Sequence, residues 1–236
     1  MKKTLILVSI LVLLAEVSVS QNNSFYSSMD DALSLHTSSD NNWPNDSFKS
    51  VEAFVKIAQD NPDRWEPYFW ASYVYTQIAR GISPTDLETR NLTKEKILDL
   101  SQEYLSKAKG DMITTEELAS DYHVLQSLIY TFRASFSQSD TERYKYIELQ
   151  KESLYESIKS DNENPVSWVL IGTELYSRGI QEGNYGMIAA AKVMLKEAGE
   201  IFEMNKKDSI TQNNYWNAAW YKFWLGRAER FLNAAD

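Results

Sequence analysis

Apolar residues return every three or four positions along most of this chain, with polar residues filling the gaps. Leu118, Tyr122, Leu125, Ile129, Phe132 and Phe136 step by 4, 3, 4, 3 and 4, which places all six on one helix face. Met187, Ala191, Met194, Ala198 and Phe202 do nearly the same, as do Ile97, Leu100, Tyr104 and Ala108. No segment alternates with the period of two that a half-buried strand requires. Polar stretches rich in Ser and Asn, at 21–24, 37–47, 81–93 and 136–141, read as connections. The pattern predicts nine helices, over about 24–37, 46–60, 65–80, 93–109, 115–136, 140–161, 166–178, 186–205 and 210–235. The fold class is all-α: four consecutive antiparallel helix pairs and a ninth, C-terminal capping helix.

Helix ends carry their own signals. Thr114-Thr115-Glu116-Glu117, Ser139-Asp140-Thr141-Glu142 and Ser209-Ile210-Thr211-Gln212 fit the capping box, in which side chains satisfy the free amides of a first turn. Pro67 belongs in a first turn, so its helix begins near Trp65 or Glu66. Gly81 and Gly179 read as stops. Helix 65–80 is apolar around most of its circumference and demands cover on more than one side. Helix 166–178 is similar, and the natural outer partners of the two are 93–109 and 186–205. Trp216, Trp220, Phe223 and Trp224, at i, i+4, i+7 and i+8, form the stripe with which the last helix would cover the end of the array.

The first twenty residues read as an address. Lys2 and Lys3 precede an apolar run from Leu5 to Leu14, and Ser18-Val19-Ser20 supplies the small residues of a cleavage site before Gln21. The run is shorter than the roughly 20 residues that span a bilayer. The expectation is a signal peptide over 1–20, a single helical domain over 21–236, and an exported product, periplasmic or secreted, with no membrane span after cleavage. Cleavage would take two of the 24 basic and one of the 33 acidic groups, moving the net charge from -9 to -10. That acidity argues against a nucleic-acid partner. Hydrophobic content of 43% excludes general disorder, and the lack of cysteine excludes disulfides and thiolate chemistry.

Catalytic patterns are scarce. His36 and His123 belong to no ligand spacing, so no metal or cofactor is expected. Gly183-Asn184-Tyr185-Gly186 reads as a helix-connecting loop more readily than as a phosphate cradle. Asp30/Asp31 and Glu116/Glu117 are adjacent pairs, whereas glycosidase chemistry needs carboxyls converging across a cleft. Asn22-Asn23-Ser24, Asn45-Asp46-Ser47 and Asn91-Leu92-Thr93 match the glycosylation acceptor pattern, relevant only in a eukaryotic secretory route.

The first helices of the four pairs share an aromatic anchor followed by positions on the same face: Tyr26, Met29 and Leu33; Trp65, Tyr68 and Ser72; Tyr122, Leu125 and Ile129; Trp168, Ile171 and Leu175. Two open on the same phrase, Asn61-Pro62-Asp63-Arg64-Trp65 and Asn164-Pro165-Val166-Ser167-Trp168. Trp168 to Leu175, with Gly172 at the small-residue position, resembles the tetratricopeptide pattern W-x₂-L-G-x₂-Y. Over roughly 24–205 the chain is similar to divergent tetratricopeptide-like repeats, and to small exported proteins of that kind from Gram-negative bacteria. The resemblance implies a stack whose concave wall binds a peptide or protein without catalysis. Its register puts Asp31, Glu66, Trp70, Tyr73, His123, Tyr130, Thr173 and Tyr176 into the groove. Such an aromatic strip with an acidic rim would favour basic or neutral partners. A small-ligand or glycan binder using the same aromatics remains an alternative, and an enzyme with dispersed carboxylates a third.

Overall fold

The computed structural model describes residues 23–37, 42–204 and 218–233. Every regular element among them is a helix: α1 (23–37), α2 (Asn45–Asp60), α3 (Glu66–Gly81), α4 (Pro84–Arg90), α5 (Lys94–Met112), α6 (Glu116–Phe136), α7 (Asp140–Ser160), α8 (Pro165–Glu182), α9 (Tyr185–Met204) and α10 (Ala218–Asn233). The expected signal segment, the Ser209-to-Gln212 box and Trp216 lie outside the described residues.

The caps explain most boundaries. The Glu142 amide donates to Ser139 Oγ at 3.1 Å, as the box requires, whereas at α6 the cap falls on Thr115, whose hydroxyl accepts from Leu118 at 3.3 Å. The two Asn-Pro phrases do different work. Asn164 caps α8, accepting from the Val166 amide at 3.0 Å, and Pro165 opens the helix. Asn61 instead closes α2, its side-chain amide donating to the Ile57 carbonyl at 2.9 Å, and α3 starts only at Glu66. Two corrections follow. The 81–93 connection contains helix α4, capped by Ser83 and opened by Pro84. Helix α8 runs through Gly179 and stops at Gly183, whose φ of 64° is the left-handed geometry that favours glycine.

By its internal contacts the chain divides into two compact units, the first ending at Asp111 and the second starting at Met112. In the first, α3 is surrounded. Trp70 stacks on Phe54 of α2 at 6.2 Å, Tyr73 meets His36 of α1 edge-on at 6.0 Å, and Tyr68 and Tyr75 both stack on Tyr104 of α5. Ser101 Oγ of α5 donates to the Ser72 carbonyl at 2.8 Å, tying α5 to the buried side of α3. In the second unit α6 pairs with α7, α8 with α9, and α10 lies along α9. Buried Ser157 joins three helices, bonding Ser120 of α6 at 2.8 Å and Ser167 of α8 at 2.6 Å. The described helices thus pack as adjacent pairs, and α10 covers α8 and α9. Among its described side chains Tyr221, Trp224, Leu225 and Ala228 face inward, while Phe223 is 52% exposed and leaves the core set; the Trp220 side chain lies outside the described residues.

His36 has a consequence for acid stability. Its Nδ1 lies 3.0 Å from Ser47 Oγ, between the Trp43 and Tyr73 rings. Burial, with the positive Arg80 nearby, lowers its pKa from 6.5 to about 4. The folded state therefore prefers the neutral ring, and its contribution is intact above pH 6.5. As the pH falls from 6.5 towards 4 only the unfolded chain takes the proton, and stability drops by up to about 3 kcal/mol. Urea unfolding between pH 7 and pH 4 should show this slope, and His36→Leu should flatten it.

Candidate functional site

The eight residues expected in a groove separate into three groups. Asp31 is exposed on α1; Glu66 is half-buried and engaged by Arg64 at 2.5 Å. Trp70, Tyr73 and Tyr176 belong to the interior, at 3%, 9% and 7% exposure. Burial raises the Tyr73 phenol well above its ordinary pKa, as expected of a hydroxyl shielded from water. His123, Tyr130 and Thr173 are half-buried. His123 packs edge-on to Tyr122 at 5.3 Å, and Tyr130 stacks on Tyr146 at 6.2 Å while accepting from Gln126 at 3.1 Å. The Thr173 hydroxyl donates to the Val169 carbonyl at 2.8 Å. Three rings of the aromatic strip therefore correct to core: Trp70 and Tyr73 are covered by α1 and α2, and Tyr176 by Trp224 at 5.8 Å, while Tyr130 stays half-buried.

Tyr176 nevertheless forms part of the wall of an open recess of about 480 Å³ on the second unit, shared with Phe223, Arg227, Arg230 and Phe231 of α10. Positions 223, 227, 230 and 231 stand at i, i+4, i+7 and i+8, so ring, guanidinium, guanidinium and ring follow one another along one face of α10. Arg227 is held by aromatic faces, 5.4 Å from the Trp224 centroid, 5.6 Å from Phe223 and 5.8 Å from Tyr176. Those distances are in the cation–π range. The nearest carboxylate in sequence, Glu229, is turned to Lys192 at 3.8 Å. Among the described residues neither Arg227 nor Arg230 has an acidic partner.

A second recess, about 430 Å³, lies in the first unit between Ser24, Phe25, Ser28, Ile57, Asp60 and Asn61. Much of its polar capacity is already used, since Ser28 donates to the Ser24 carbonyl at 3.0 Å and Asn61 to Ile57. Among the described residues no three His, Asp or Glu side chains gather as a metal would need, and no helix is long and apolar enough to cross a membrane. The buried chain of Ser120, Ser157, Ser167 and Asn164 ties helices together, with Asn164 donating to Ser120 at 3.0 Å and to Asp121 at 2.9 Å, and its four members are buried in the core.

Sequence reasoning missed Arg227, Arg230 and Phe231. One signal was available: Ala218–Asn233 carries Lys222, Arg227 and Arg230 against Glu229 alone, a local reversal of sign in a chain of net charge -9. Compared with protein-family models, with curated proteins and with solved structures, the chain matches none of them.

Proposed function

We propose that this protein is an exported, non-enzymatic helical module of tetratricopeptide type that holds a peptide or protein partner at the recess on α10. The observation carrying this reading is an exposed ring, Phe223, beside two guanidiniums that have no acidic partner among the described residues, on an otherwise acidic protein. Exposed aromatics and arginines are the side chains that dominate binding energy at protein interfaces. Export rests on the residues of the 1–20 segment, and the repeat assignment on the shared anchors and on adjacent helix pairing. The proposed contact surface differs from the groove the resemblance implies, because that groove's largest rings are packed inside.

The test is site-specific photo-crosslinking in the native cell envelope. A photoreactive residue in place of Phe223 should yield one discrete cross-linked species, and the same residue in place of Tyr155, exposed on α7, should yield none. Equal yields at both positions, or none at Phe223, would reject the recess as the contact surface. A second reading, a small-ligand or glycan binder, draws on the recess volume, which falls in the range of ligand pockets. A saturable thermal shift with a sugar and none with peptides would favour it.

A further inference from the structure

We infer that the partner segment taken by the recess is acidic and apolar together: a peptide presenting side-chain carboxylates to Arg227 and Arg230 and large apolar side chains to Phe223 and Phe231. The inference rests on the recess being the partner surface and deepens that reading by naming the chemistry. The charged lining groups among the described residues are both guanidiniums, and the one acid on α10, Glu229, is not among the lining residues and lies 3.8 Å from Lys192 in a solvent-exposed pair. Arginine is a planar fork that matches a carboxylate with two parallel hydrogen bonds. Arg227 is already oriented by three rings, so less side-chain freedom is lost when an anion docks.

The spacing sets the footprint. From Phe223 to Phe231 the helix rises about 12 Å, at about 1.5 Å per residue. Four or so residues of extended chain cover that length, at about 3.3 Å each. Rings at both ends and cations between them ask for a segment with apolar ends and an acidic middle. The basic or neutral partner expected from the acidic rim of the implied groove gives way to an acidic one here, because a contact of this size reads the charges lining it and screening weakens the rest over about 10 Å.

The experiment uses the purified full chain and two fluorescent, end-blocked peptides, Gly-Phe-Glu-Glu-Phe-Gly and its uncharged counterpart Gly-Phe-Gln-Gln-Phe-Gly, read by anisotropy. The acidic peptide should bind at least tenfold more tightly. Arg227→Gln and Arg230→Gln should each remove most of that difference; both side chains are exposed, so Arg230→Gln should leave the thermal midpoint unchanged and Arg227→Gln, which gives up its ring contacts, should lower it only slightly. Equal binding of the two peptides, with both weakened by Phe223→Ser, would overturn the acidic preference and leave the recess as a partner surface. Binding of neither peptide up to millimolar concentration would overturn the inference, and the cross-linking at Phe223 would then decide the recess separately. Displacement by 1 mM inorganic phosphate would also overturn it, by showing a site for any anion.

Discussion

Trp70→Ala is expected to destabilise the first unit by about 3–5 kcal/mol, the usual cost of truncating a buried aromatic to alanine. Trp70 is 3% exposed, stacks on Phe54 at 6.2 Å and meets Phe69 and Tyr73 edge-on at 5.7 and 6.1 Å. Removing the indole would leave a cavity lined by rings that cannot all relax into it. A loss of this size is a large share of the 5–15 kcal/mol that holds an ordinary domain together. The measurement is urea unfolding followed by far-ultraviolet circular dichroism, with Asp31→Ala as the exposed control, which should move the midpoint little. A Trp70→Ala chain with an unchanged midpoint would return this ring to the surface.

Gly172→Val should be the other severe change. A Cβ at this position would lie 2.7 Å from Leu195 Cγ and 3.2 Å from the Ala191 carbonyl oxygen, and the second of these is backbone that cannot swing aside. The α8–α9 pair would have to separate, at a cost of about 1–3 kcal/mol for overpacking, with the added methyls pushing towards the upper end. Gly110→Ala is the informative contrast. It sits in helix α5 with nothing within 4 Å of its would-be Cβ, so alanine there should stabilise by about 0.5–1 kcal/mol. Opposite shifts in the thermal midpoint of the two variants are the expected outcome. Equal shifts would mean that α8 and α9 do not approach as closely as Leu195 and Ala191 indicate.

What the residues revealed and what they hid follow one physical line. Period and capping are local, so Ser139, Pro67 and Asn164 announced their helices. Helix α4 was equally legible in Ser83, Pro84 and Asp86, but its polar composition resembled a loop. Which face of a helix lies uncovered is not local. Helix α3 is apolar around most of its circumference, and that alone called for cover on several sides; α1, α2 and α5 supply it. The repeat register turned Trp70 and Tyr73 outwards against that requirement, and burial of the rings won. The recess was hidden for a related reason. Phe223 has the spacing of a core residue, and only the path of α10 over α8 and α9 shows that Tyr221, Trp224 and Ala228 take the inward positions instead.

The most direct test of this division between interior and contact surface is hydroxyl-radical footprinting of the native chain, read residue by residue by mass spectrometry. Phe223 should be oxidised rapidly, and Trp70 and Tyr73 should react slowly despite the higher intrinsic reactivity of indole and phenol. Labelling of Trp70 and Tyr73 as fast as Phe223 would contradict the account and restore the aromatic strip as the open groove.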